Sequence, residues 1–280
     1  MKNKRGPKTF SLAEKVARDS APDEGRANKQ ASDALARPSP PTPSPQGRGG
    51  FTARAFLIHE DAHILAFNKP AGLAVQGGSG VTQNLEDMLA AFAKSNGKRP
   101  HLVHRLDRET SGVIVAARTK PAAAFLSEAF AGRNAKKTYL AIVCGGAPDP
   151  EQGEIDLPLQ KANRKGLDIM EVSPVGQAAL TRYRTLAANP QAALVQLAPQ
   201  TGRMHQLRAH LAAIGRPIAG DGKYGGLFRL GATDIPGLML HAAALDIPHP
   251  EGGRLRLAAP PPEAFRNVAQ SLGLEAALPR

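Results

Sequence analysis

From Phe51 to about residue 275 the chain is a series of short apolar runs, most with the length and residue types of strands. FLIHEDAHILAFNKP reads as two strands around a His-Glu-Asp-Ala turn, stopped by Pro70. GVIVAAR from Gly112, KTYLAIVCG up to Gly145, LMLHAAALDI and RLRLAA read as strands too, as do LTRYRTL and AALVQLAP across Asn189-Pro190. Helical stretches are fewer. NLEDMLAAFAKSNG has Asn84 as N-cap, Glu86 and Asp87 in its first turn, an apolar face of Leu85, Met88, Leu89 and Phe92, and Gly97 to end it. Pro121 opens a second helix that runs through Phe130. HQLRAHLAAIG carries Leu207, Leu211 and Ile214 on one side and stops at Gly215 and Pro217. PPPEAFRNVAQSLG closes the chain's regular structure. Strands outnumber helices and do not alternate regularly with them, which predicts an α+β fold instead of a doubly wound sheet. No internal repeat is visible.

Composition narrows the class. Aromatic residues are 4% of the chain and Trp is absent, so the core must be aliphatic. Lys and Arg number 36 against 24 Asp and Glu, a net charge of +12, which points to a polyanion partner. Cys144 is the only cysteine, which rules out an intramolecular disulfide and a Cys-rich zinc site. No stretch approaches the ~18 apolar residues of a membrane span, and the basic N-terminus lacks an apolar segment, so a cytoplasmic location is expected. Residues 1–50 hold ten Lys/Arg, five Asp/Glu and the run RPSPPTPSPQGRGG. They are expected to be a disordered basic, Pro-rich tail that touches RNA phosphates at most. Residues 51–275 are expected to form one domain, and 276–280 a C-terminal tail.

Two polar stretches stand out. HLVHRLDRETSG (residues 101–112) places His101, His104, Arg105, Asp107, Arg108, Glu109, Thr110 and Ser111 directly before an apolar strand, where a rigid scaffold can position them. PQTGRMHQLRAHLAAIGRPIAGDGKYG puts Arg203 at a helix entry, with His205 and Arg208 three residues apart on one face. GDGKYG matches a dinucleotide-loop spacing, but no helix follows it and Pro217 precedes it, so that reading fails. His205 and His210 lie roughly 140° apart around a helix and cannot share a metal ion, and His101 and His104 lack a third ligand. A glycosidase would pair Asp107 with a second carboxylate, yet the flanking arginines suit phosphate better than a neutral sugar.

HRLDRETSG and the following VIVAA resemble the catalytic motif of the RluA family of RNA pseudouridine synthases. NKPAGLAVQGG (residues 68–78), KKTYLAIVCG (136–145) and TGRMHQLRAHLAAIGRPIAGDGKYG resemble that family's other motifs, in order. The resemblance covers residues 68–225. It implies a mostly antiparallel α+β catalytic domain with a central basic cleft, isomerising uridine in structured ribosomal or transfer RNA to pseudouridine. It implies Asp107 as the catalytic aspartate. It makes Tyr139 the residue that packs on the uracil and the candidate base, and Arg208 the arginine paired with the aspartate. Arg105 would enter the space left by the flipped nucleotide. His104, Arg203, His205 and Lys69 are the further candidate RNA contacts. The small N-terminal RNA-binding domain of some members has no counterpart here. The isomerisation exchanges no electrons and no external group, so no cofactor and no metal is expected, and the chain is expected to act as a monomer. A carboxylate is a suitable group to attack the nucleoside or take a proton from it, and a target base must leave its stack to be reached. The rival readings are a non-catalytic RNA-binding protein that uses the same cleft, and a carboxylate-dependent nucleosidase.

Overall fold

The computed structural model describes residues 8–10, 52–78, 80–95 and 97–278. Its middle is the apolar run after the Asp107 loop. Every residue of that strand, β5 (Ser111–Ala117), is buried. A strand buried on both faces needs a layer on each side, and alternation supplies both. Ile114 and Ala116 pack with Leu85, Leu89 and Phe92, while Val113, Val115 and Ala117 face Ala122 and Leu126.

The strands before β5 are β1 (Lys8–Phe10), β2 (Leu57–Glu60), β3 (Ile64–Lys69) and β4 (His101–Leu102). After it come β6 (Lys136–Cys144), β7 (Gln152–Asp156), β8 (Leu159–Arg164), β9 (Leu167–Val172), β10 (Leu180–Ala188) and β11 (Ala192–Pro199). The last are β12 (Arg229–Leu230), β13 (Thr233–Asp234), β14 (Leu240–Pro248) and β15 (Arg254–Ala258). The helices are α1 (Leu85–Met88), α2 (Lys120–Ala131), α3 (Gln206–Ala213) and α4 (Glu263–Ser271). Eleven strands form one sheet, ordered β1-β7-β10-β11-β6-β14-β5-β3-β2, with β15 beside β14 and β4 beside β5. Only β1 with β7 and β14 with β5 run parallel, so the expected α+β, mostly antiparallel architecture holds. No helix among the described residues is long and apolar enough to cross a membrane.

The sheet has two halves. One is β3 and β5 between α1 and α2. The other is β6 and β11, covered by Leu207, Leu211 and Ile214 around α3 and by Phe265 and Val268 of α4. The seam is the β14–β5 contact, where only His241 with Ser111 and Ala242 with Gly112 are in register. Gly112 has φ of 111°, and a Cβ there would collide with the Ala242 carbonyl, so no other residue fits this crossing.

Some expectations need correcting. The helix drawn from Asn84 to Gly97 is shorter: α1 is capped by Asn84 Oδ1, which accepts from the Asp87 N–H at 2.9 Å, and a 3-10 turn, Leu89–Phe92, ends it. Beyond Phe92 no large apolar side chain remains to hold a helix against the sheet. Within the expected tail, Lys8–Phe10 pair in parallel with β7; three residues are too few to show a periodicity. The rest of that tail lies outside the described residues. The C-terminal tail expected from 276 begins inside a 3-10 turn, Glu275–Ala277, and Ala277 and Leu278 rest on the core. The β8–β9 hairpin carries mostly exposed polar residues, so it left no strand pattern; Lys165 and Gly166 turn it with φ of 52° and 81°.

Gly112→Ala is expected to destabilise the protein by about 3 kcal/mol or more, lowering Tm by roughly 6–12 °C. Gly166→Ala, with open space around it, should cost only about 1 kcal/mol, roughly 2–4 °C. Thermal melts of the two variants side by side check this, and equal melting points would remove the special status of the seam.

Candidate active site

The loop between β4 and β5 is fixed from below by residues that looked like nucleic-acid contacts. Lys69 is wholly buried, and its ammonium donates to the Pro70, Leu73 and Arg108 carbonyls at 2.9, 2.8 and 3.0 Å. All three of its N–H groups are used. Burial pushes its pKa down to about 7. Lys69 is therefore a clamp on the loop and not an RNA contact; a lysine inside a polar motif reads as free charge only until its burial is known. His104 is tied down as well, half-buried in the cleft lining. Its Nε2 accepts from the Val115 N–H at 3.0 Å, and its ring stacks on Phe130 with centroids 4.4 Å apart. Burial pushes it down to about 3, so it stays neutral and serves as a strut. Backbone bonds from Gly72 to Arg108 at 2.9 Å and from Thr110 to Asp107 at 3.1 Å complete the loop.

So held, Asp107 presents its carboxylate, 29% exposed, to a cleft of about 2000 Å³ along the seam. Across from it stands α3. Arg208 is only 7% exposed. Its Nε and Nη2 donate to the two oxygens of Asp221, both at 2.7 Å, and its Nη1 reaches Asp107 Oδ2 at 3.4 Å. The expected Arg208–Asp107 pairing is present, but it is the weaker of two. The two-pronged grip, the strong geometry for this side chain, belongs to Asp221. Burial opposes the Arg208 charge, while the hydrogen bonds and charge of Asp221 more than offset it, so the guanidinium stays protonated.

A buried polar network seats α3. His210 Nε2 donates to the Leu157 carbonyl at 3.0 Å, so its Nδ1 accepts from Thr181 Oγ1 at 2.9 Å. Thr181 in turn accepts from Gln206 Nε2 at 3.0 Å, and Gln206 Oε1 takes the Thr201 hydroxyl and the Arg203 N–H. Burial pushes His210 down to about 4, which keeps this core uncharged.

The remaining candidates divide. Tyr139 lies on β6 and packs against the cores of both halves. Burial pushes its phenol well up, and the Asp107 charge adds to that, so it keeps its proton. His205 sits at the N-cap of α3 with φ of 49° and Nε2 3.9 Å from Asp107 Oδ2. Arg105 is exposed at the cleft, with no hydrogen bond among the described residues. Arg203 lines the cleft and donates to the Ala178 carbonyl at 3.1 Å. Arg133, Lys136, Arg182 and Lys223 add positive charge to the lining, opposed by Asp107 and Glu109. Among the described residues no group of three or more His, Cys, Asp or Glu is placed to hold a metal ion.

Sequence reasoning missed Asp221 and Tyr224. Both sit in GDGKYG, which forms a turn and no dinucleotide loop: a Cβ at Gly220 would strike the Gly237 carbonyl. An acidic residue thirteen positions after a helical arginine was the available signal, and only the fold brings the two together.

Residues 63–213 match the model of the RNA pseudouridylate synthase family. The ribosomal large subunit pseudouridine synthase C of Escherichia coli is 38% identical over 224 residues, 77% of this chain and 69% of that one. An uncharacterized RNA pseudouridine synthase of Zymomonas mobilis is 39% identical over 215 residues, covering 76% and 96%. Among solved structures, human RNA pseudouridylate synthase domain containing 4 superposes with a TM-score of 0.66 at 30% identity, over 79% of this chain and 94% of that one.

Two outcomes follow from the geometry. Asp221→Asn leaves a buried guanidinium without its counter-charge and is expected to cost about 3–5 kcal/mol, roughly 6–20 °C in Tm. A melt within a degree of wild type would show that Arg208 relies on Asp107 instead. For Lys69, the folded pKa of about 7 lies below the ordinary lysine value of 10.5. Between those values the unfolded chain binds more protons, so stability rises with pH. The Tm gap between wild type and Lys69→Met should therefore widen from pH 7 toward pH 10, while RNA affinity of the folded variant changes by less than about threefold. A flat gap, or a large affinity loss, would restore Lys69 to the surface.

Proposed function

The chain belongs to the RNA pseudouridylate synthase family, whose members turn uridine in RNA into pseudouridine, and on that premise we propose that it acts on large-subunit ribosomal RNA with Asp107 as the catalytic carboxylate. One observation carries the role of Asp107. It is a half-exposed carboxylate in a basic cleft, held at 3.4 Å from a guanidinium that another carboxylate already neutralises. Asp107 thus keeps an oriented oxygen and much of its charge. The names of the curated relatives support the substrate.

The isomerisation breaks the bond from ribose to the ring nitrogen, turns the uracil, and joins the ribose to carbon 5, which gives up its proton while the freed ring nitrogen takes one up. Asp107 is the group placed to act on the nucleoside, and Arg208 steadies it through Nη1. Tyr139 keeps its proton, so it offers the uracil a ring face, worth about 1–3 kcal/mol in stacking, and not a resident phenolate. The base role implied by resemblance would require Tyr139 to part with that proton once RNA is bound. Arg105, exposed at the cleft and without a hydrogen bond among the described residues, fills the gap left by the extruded nucleotide. Arg203 and His205 line the same cleft as RNA contacts.

Asp107→Asn keeps shape and loses charge. It is expected to lower turnover at least about a thousandfold while RNA affinity stays within a few-fold. Tritium release from RNA carrying carbon-5-tritiated uridine measures turnover: isomerisation frees the label without freeing uracil, a nucleosidase frees uracil, and a passive binder does neither. Multiple turnover by the Asn variant would remove Asp107 from the chemistry. Mapping pseudouridine in RNA from cells lacking the chain tests the ribosomal assignment.

A further inference from the structure

Tyr224 is half-buried behind the catalytic wall, and three separate features of the site converge on it. Its hydroxyl oxygen accepts the main-chain N–H of Met170, on β9, at 2.7 Å. The same oxygen lies 3.0 Å from Nδ1 of His205. Its ring lies beneath the Arg208 guanidinium, 5.2 Å from the centroid, and meets the His205 ring edge-on at 5.7 Å.

The protons in this chain can be assigned. Met170 supplies a donor, so the hydroxyl's own hydrogen is free, and His205 Nδ1 is the acceptor within reach. Nδ1 then carries a lone pair, and the ring proton sits on Nε2, which faces Asp107 Oδ2 at 3.9 Å. The opposite tautomer is disfavoured twice. It leaves the hydroxyl hydrogen without an acceptor, and it turns an Nε2 lone pair toward a carboxylate oxygen. Burial pushes the His205 imidazole down, so the neutral form is the one whose tautomer matters.

We propose that Tyr224 is a positioning residue for the isomerisation: its hydroxyl locks His205 in the tautomer that directs Nε2–H at Asp107, and ties that lock to the β8–β9 hairpin. This hydroxyl gives the hairpin's main chain a direct hydrogen-bonded path to His205, which faces Asp107, so a shift of β9 reaches the carboxylate through it. The proposal rests on Asp107 acting on uridine as described above.

Tyr224→Phe keeps the ring under Arg208 and deletes only the hydroxyl. With carbon-5-tritiated RNA from cells lacking the chain, kcat should fall about 5- to 30-fold and KM stay within about twofold. In the nitrogen spectrum of the histidine-labelled protein, His205 should move from a single Nε2–H form to a mixture of tautomers, a change that loosened packing alone would not produce. His205→Gln gives the decisive cross-check. Its amide nitrogen takes the place of Nε2 and donates whatever its neighbour does, so adding Tyr224→Phe to it should change kcat by less than about twofold. A full further loss in that background would overturn the proposal, as would an unmixed tautomer in Tyr224→Phe or an unchanged kcat. A wild-type chain that releases no tritium would overturn the catalytic reading and the positioning role with it. An active wild type with an indifferent Tyr224→Phe would overturn the positioning role alone.

Discussion

The bidentate pair between Arg208 and Asp221 is the contact on which the arrangement around Asp107 depends. A guanidinium at 7% exposure is tolerable only with a partner, and Asp221, with no exposure at all, takes two of its prongs. The geometry leaves one prong for Asp107. Had Asp107 been the only counter-charge, its oxygens would be engaged and its charge spent. With Asp221 present, the site holds a fixed positive group beside a carboxylate that remains open to the cleft.

That arrangement spans the seam of the sheet. Asp107 precedes β5 in one half, Arg208 stands on α3 in the other, and Tyr139 packs against both cores. Gly112 lets β14 and β5 approach closely enough to close the floor, and Ser111 reinforces it by donating to His241 Nδ1 at 2.9 Å while His241 Nε2 donates to the Ala259 carbonyl. The floor is neutral and the walls are charged, which suits a flat uncharged base on a polyanionic backbone.

The sheet was largely legible because its central strands are buried on both faces and read as unbroken apolar runs, as in β5 and β6. The hairpin β8–β9 was not: Leu159 and Met170 are buried against Ala209 of α3 and against Ala179, contacts distant in sequence, and the outward residues follow no pattern. Asp107, Arg208 and Tyr139 were legible through motifs. Lys69 was misread because chemistry is printed in a sequence and burial is not. The partnership of Asp221 with Arg208 was invisible for the opposite reason, since a glycine-rich turn carries no periodicity that could aim it at a helix.

The hairpin meets the catalytic wall through the amide of Met170, which any residue except proline would present equally. Its outward positions, among them Arg164 and Lys165, are exposed and take no part in that contact. Mutational drift can rewrite that outer face without disturbing the reactive centre. On the function proposed above, such side chains can change while the residues that meet the uridine stay as they are.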